Sequence, residues 1–503
     1  MDATSFFDFD FSGSLFPLKT NLFLMKHHSG ALADYVGRIL STDPAFIGDN
    51  FSPQLRVHAA KPRNHLRRTV VLDPIATYFI YDLVARNATA FVRINTDERS
   101  SFGYYFDQDS PVPVHRAYKE FATATEEAGE KFAHSISFDI ASYFNSIYHH
   151  DAQNWFATLD GLSGVDVNAF GRFFREINGG RSIDFLPHGI YPTKMIGSCF
   201  LTFLEESAQL KCAKTLRFMD DIQMFDDDEE VLLRDFHRVQ ELLGIQGLNI
   251  NPTKTVRDGQ KSVREFASDM SDELQEILGE NPKHLSLPSG IDPDDVEDDD
   301  WSEDDDEDFD ELDEEKIDRL LELLADPRVD EADAELILGA LRDHADALSL
   351  HLGEIYARFP NIAKQLHSLV SDIADKEHLC VQLVELVVSD TYLIEYQLFW
   401  LAVIAEDHLS ATGSYGKLLI GIYDRSANHK VAMAKILEIP TQDFGFKQIR
   451  KEVLASGSSD WPSWAAAMGT RTLAKAERNQ QLKYFGRASP INHVVANCVM
   501  ALP

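Results

Sequence analysis

Residues 215–225 read TLRFMDDIQMF, and the fold turns on this stretch. Two short apolar runs, Leu216–Met219 and Ile222–Phe225, flank the pair Asp220-Asp221. A strand, a tight acidic turn and a second strand make a β-hairpin, and its tip presents two carboxylates. About 80 residues earlier, HSISFDIASYFNSIY (134–148) begins with an alternating apolar strand, Ser135–Phe138, that carries Asp139 at its end. Aromatic residues follow at once.

Carboxylates delivered on strand ends suit phosphoryl transfer. That chemistry uses two divalent ions roughly 4 Å apart, one activating an attacking hydroxyl and one stabilising the leaving pyrophosphate. Hard oxygen ligands favour Mg2+ over zinc, with Mn2+ able to substitute. The chain is acidic, however, with 82 Asp and Glu among 503 residues. A pattern as loose as aromatic-x-Asp-Asp therefore arises by chance, and Phe225-Asp226-Asp227-Asp228 is a second match. That match opens a helix (EEVLLRDFHRVQELLG), where acids cap and oppose the dipole. Order and spacing relative to other segments must separate the two.

The formal net charge is −35, which is unfavourable for a phosphate partner. Its distribution alters that conclusion. Residues 292–315 hold 18 Asp or Glu and no Lys or Arg, about half of the deficit. A basic stretch, RVHAAKPRNHLRR, lies at 56–68. A polynucleotide partner is thus allowed, through a local contact surface. Apolar residues at 44% and charged residues at 26% describe a globular chain of two or three domains. The cysteines, Cys199, Cys212, Cys380 and Cys498, form no CxxC pair, which fits a reducing cytosol without a zinc site. No secretory signal opens the sequence, and the most apolar stretch, 379–409, is broken by five acids; the cytoplasm is expected, with no membrane partner.

The acidic run repels itself and buries little, so it is expected to be an extended, solvated spacer. It divides unlike halves. Before it, helices alternate with short β-rich segments; after it, IDRLLELLADP and AELILGALRDHADAL have helical periodicity, with breaks at Asp326-Pro327, Phe359-Pro360 and Gly413-Ser414. Stacked helical pairs are expected there.

Four ordered segments carry a family resemblance. Phe138-Asp139 with Phe144 resembles motif A of reverse transcriptases; Leu186-Pro187-His188-Gly189 with Pro192-Thr193 resembles motif B, which usually has serine at the Thr193 position. Arg217-Phe218-Met219-Asp220-Asp221 is similar to motif C, and Leu248-Asn249-Ile250-Asn251-Pro252-Thr253-Lys254-Thr255 to motif D. Arg67-Arg68 before Leu72-Asp73-Pro74, and Ser101-Phe102-Gly103-Tyr104, resemble the fingers motifs. The resemblance covers about residues 55–270.

It implies an α+β fold: reverse-transcriptase fingers and palm over 1–275, an acidic disordered linker over 276–316, and an all-α helical-repeat domain over 317–503 in place of a thumb. Asp139 and Asp220 would ligate both Mg2+ ions, with Asp221 weaker. Phe144 would be a steric gate against a 2′-hydroxyl, or simply pack in the core. Gly189 would admit the nascent pair, with Thr193 beside it. Arg67 and Arg68 would clamp the triphosphate, or form a solvated basic turn. Lys254 would protonate pyrophosphate, or be an ordinary exposed lysine. His149-His150 are read as structural or surface residues, since adjacent helical positions face apart.

A palm joined to helical repeats resembles the abortive-infection, defence-associated reverse transcriptases (the AbiK-like group). That resemblance implies a nucleotidyltransferase in antiphage defence that polymerises dNTPs, synthesis without a template, and priming from a protein hydroxyl. It also implies a covalently attached DNA product and homo-oligomeric assembly. Templated cDNA synthesis on an associated non-coding RNA, or a non-catalytic helical sensor or scaffold, are the alternatives. The 15 tyrosines do not identify a primer.

Overall fold

The computed structural model describes residues 1–502 except 47, 63, 183–185, 259–276, 278–311, 327 and 330. Nearly all of the expected linker, 276–316, and of the acidic run lies outside the described residues. Asp313, at the end of that run, caps the helix Glu314–Ala325 by accepting from Lys316 N at 2.8 Å.

The architecture is α+β, with helices predominating around a small mixed sheet. Nine strands are described: β1 Leu55–Lys61, β2 His65–Val71, β3 Arg99–Phe102, β4 Phe106–Asp107, β5 Ser110–Pro111, β6 His134–Asp139, β7 Lys214–Phe218, β8 Asp221–Asp226 and β9 Val256–Arg257. The main sheet has the order β3-β7-β8-β6-β9, with only the β3–β7 pair parallel. β1 and β2 form a separate antiparallel hairpin.

The strands read from the sequence are recovered to within one or two residues, but the acidic turn is shifted. Phe218 pairs with Asp221, so Met219-Asp220 is the two-residue turn and Asp221 already belongs to β8. The second acidic match has the backbone role expected of it. Asp228 caps the helix Glu229–Ile245, accepting from Glu230 N at 2.9 Å. Asp226 accepts from Ala213 N at 2.8 Å and Asp227 from Ala133 N at 3.1 Å. Helices Val114–Lys131 and Glu229–Ile245 pack against the sheet, with Phe121 meeting Phe218 and Phe236 meeting Phe138.

The second half is a two-row helical stack. One row runs through Ala363–Asp372, Glu395–His408, Lys430–Glu438, Trp461–Gly469 and Pro490–Ala501; its neighbour includes Lys376–Val388, Tyr415–Arg425, Phe446–Ala455 and Lys475–Phe485. Helices end or begin at Asp326, Phe359 and Ser414, where the sequence breaks fall.

This stack is seated on the first half. Phe16 lies edge-on to Tyr396 and Phe399, at 5.7 and 5.1 Å between ring centroids. The helix Lys19–Leu40 has no capping side chain of its own at Leu18. Glu438, more than four hundred residues away, takes that role by accepting from Lys19 N at 2.9 Å and Thr20 N at 2.8 Å.

Candidate active site

The β7–β8 turn gives Met219 a φ of 53°, left-handed backbone that hairpins normally assign to Gly or Asn. A non-glycine residue held there costs roughly 1–3 kcal/mol and needs support from its surroundings. Met219 is buried, with Gly103 behind it at φ +104°; a Cβ on Gly103 would stand 3.4 Å from Met219 Cγ. Arg217 donates to Met219 O at 2.9 Å and pairs with buried Glu205 at 2.6 Å.

Asp139 ends β6 directly opposite Asp221. Ile140 N donates to Asp220 O at 3.3 Å, and Asn251 N to Asp139 O at 2.8 Å. The sheet and the segment after the helix Glu229–Ile245 thereby bring Asp139, Asp220, Asp221 and Lys254 together. Lys254 Nζ forms an ion pair with Asp139 Oδ2. The other oxygen, Asp139 Oδ1, is buried and accepts no hydrogen bond.

The Asp220 carboxyl is pushed up to about 6, first by burial and also by the negative charge of Asp139, with Lys254 and Lys61 pulling the other way. Crowded carboxylates with a bare oxygen are a poor arrangement for metal-free protein and a good one for a hard divalent cation. Among the described residues no three His, Cys, Asp or Glu side chains make a ready cage.

Positive charge gathers beside this acidic centre. His188 is held well below its usual basicity by burial, then by Arg67, Lys194 and Lys61. Lys61 also acts on Asp220, so its charge reaches both the LPHG turn and the carboxylates, while Lys194 Nζ lies 5.0 Å over the Tyr104 ring. Lys61 falls within the basic stretch of the sequence, but nothing local distinguishes it; Lys194 and His188 had no separate signal.

Arg67 and Arg68 part company. His58 pairs with Arg68 and Ala59 with Arg67, so the two arginines project from opposite faces of β2. Arg67 approaches His188, whereas Arg68 lies near Arg56 and Arg181. Phe144 meets His188 edge-on at 4.8 Å, joining the segment after Asp139 to the LPHG turn. Gly189 has φ +103°, and a Cβ there would come within 2.6 Å of Thr69 Oγ1. The Thr193 hydroxyl is fully buried and donates to backbone oxygens of its own turn, Ile190 O at 2.9 Å among them. His149 is buried with Nε2 3.1 Å from Gly171 O, a structural position.

No protein family and no curated protein matches the chain. Among solved structures it is similar to telomerase from Candida albicans in complex with a TWJ fragment of telomeric RNA. The identity is 10%, over 90% of this chain and 69% of that one, with a TM-score of 0.28. A superposition this loose leaves the class of protein to its own architecture: an α+β chain with an acidic hairpin and cationic side chains near the LPHG turn. No helix among the described residues is long and apolar enough to cross a membrane.

Proposed function

We propose that the chain is a nucleotidyltransferase, a DNA polymerase of the reverse-transcriptase type that adds dNTPs to a 3′ end. The observation that supports this most is the strand register setting Asp139 against Asp221, beside Asp220, with one Asp139 oxygen bare. Asp139 and Asp220 are assigned as ligands of two Mg2+ ions, with Asp221 contributing less and Mn2+ able to replace them. When bound, such ions activate the attacking hydroxyl and neutralise the leaving pyrophosphate. Lys61, Arg67 and Lys194 orient and neutralise the triphosphate. Lys254, which pairs with Asp139 in the absence of a cation, would serve as the acid for the leaving group. Phe144, edge-on to His188, disfavours a 2′-hydroxyl at the sugar.

The biological setting in this reading is antiphage defence in the cytoplasm. It rests on the family resemblance of the motifs and on the helical half. Synthesis is read as untemplated and protein-primed, by an assembly of several copies. Nuclease-treated protein incubated with a single dNTP and Mg2+ should form product that stays attached to protein until protease is added. Extension that disappears with nuclease treatment would instead favour templated synthesis on an RNA. Replacing Asp220 and Asp221 by alanine should remove both synthesis and phage protection; protection that survives would make the chain a scaffold.

A further inference from the structure

The turn that presents Asp220 is held in a shape its own residues disfavour. Met219 sits at φ 53° with a buried side chain, so neither glycine's freedom nor solvent accounts for that backbone. What reaches it is the guanidinium of Arg217, which is fully buried and donates from NH1 to Met219 O at 2.9 Å.

The rest of the guanidinium is engaged by one carboxylate. Nε meets Glu205 Oε1 at 2.6 Å and NH2 meets Oε2 at 3.0 Å, a bidentate pair. Glu205 follows the 3-10 turn Leu201–Phe203, just after the helix Tyr191–Phe200. Tyr143 ties that helix to the segment after Asp139, donating from Oη to Gly197 O at 2.6 Å. One fork thus links the motif B helix to the acidic turn, and lysine could not reproduce its three directed bonds. A buried ion pair adds little to stability over apolar packing, so a purely structural role explains it poorly.

We infer that Arg217, oriented by Glu205, is a positioning residue that fixes the Met219–Asp220 turn and thereby sets the divalent-cation affinity of the Asp139–Asp220 centre. This rests on the reading of that centre as a cation site. The indirect partners of metal ligands commonly alter affinity by about 10- to 100-fold, which sets the scale of the effect.

Mn2+ binding to the nuclease-treated full chain, followed by the EPR signal of free Mn2+, tests this directly. Asp220→Asn serves as the reference, because the acidic run also collects cations and only the difference reports the centre. Arg217→Lys should weaken the Asp220-dependent binding about tenfold or more, and Glu205→Gln should weaken it in the same direction. The loss caused by Arg217→Lys should shrink in a Met219→Gly background, because glycine takes a positive φ unaided. A folded Arg217→Lys that binds Mn2+ like the parent overturns the inference, as do losses that simply multiply in the double variant. Should Arg217→Lys fail to fold, Glu205→Gln with unchanged Mn2+ affinity overturns it equally. Absence of any Asp220-dependent Mn2+ binding in the parent removes the cation reading itself, and the inference with it.

Discussion

Two buried carboxylate sites, one in each half of the molecule, are treated in opposite ways. In the helical half, Glu438 is fully buried and fully satisfied: it accepts from Lys19 N, Thr20 N and Thr20 Oγ1, and Lys435 Nζ lies 2.9 Å away. In the sheet half, Asp139 keeps one buried oxygen without a partner and Asp220 is crowded by its charge. The first arrangement is a joint, closed on itself. The second is incomplete, as carboxylates awaiting a cation are, and perturbed groups of this kind concentrate at functional sites.

The contrast breaks most visibly through Asp220→Asn. Incorporation of a single dNTP by nuclease-treated protein with Mg2+ should fall to background, while the melting temperature without divalent cation stays level or rises, because a crowded charge is gone. A matching drop in thermal stability would mean that Asp220 is structural, like Glu438.

Glu438→Ala attacks the joint instead. It leaves Lys435 with Glu406 as its one carboxylate partner and uncaps the helix Lys19–Leu40, and removing one partner of a buried pair costs roughly 3–5 kcal/mol. Urea unfolding should show that loss, as a lower midpoint or as early separation of the helical half. Stability unchanged to within about 1 kcal/mol, the range of an exposed pair, would remove Glu438 as a joint.

Acid titration separates the halves by sign. Asp220 lies at about 6 in the folded protein against its ordinary 3.8, so the folded state holds the extra proton between those values. Its contribution to stability is therefore present below 3.8 and lost as pH rises towards 6, on the order of 3 kcal/mol. Glu406 behaves oppositely. Burial pushes its carboxyl up, but Lys435 and Lys19 outweigh that and hold it below its ordinary value, so its contribution is lost as pH falls. Subtracting the pH–stability curve of Asp220→Asn from that of the parent should expose the first term, and saturating Mg2+ should flatten it. A difference that rises with pH through this window would refute the assignment.

The smallest effect expected concerns the paired arginines. Arg67→Ala should raise the nucleotide KM about tenfold, for a charged hydrogen bond worth roughly 1.5 kcal/mol, whereas Arg68→Ala should leave it near the parent value. Equal effects in steady-state kinetics would place both side chains at the nucleotide.

Much of the acidic centre was legible in the chain itself. Alternation located β6, β7 and β8, and the turn between apolar runs identified Asp220. The finer placement was not. Arg67 and Arg68 look equivalent as neighbours, yet strand pairing sends them to opposite faces. Thr193 sits in a motif suggestive of contact, while its hydroxyl closes its own turn. Lys61, Lys194 and His188 become a group only when the β1–β2 hairpin folds over the LPHG turn.

Period-2 alternation, helix breaks and acid runs are local, so the sequence alone determined the hairpin, the helical second half and the candidate carboxylates. Tertiary structure decided which of these groups are completed and which are left open. The seat of Glu438 on a helix at the other end of the chain depends on packing between distant segments, as does the Arg217 grip on Met219 through Glu205. No local pattern encodes such contacts, because each partner's surroundings exist only once the other has been brought beside it.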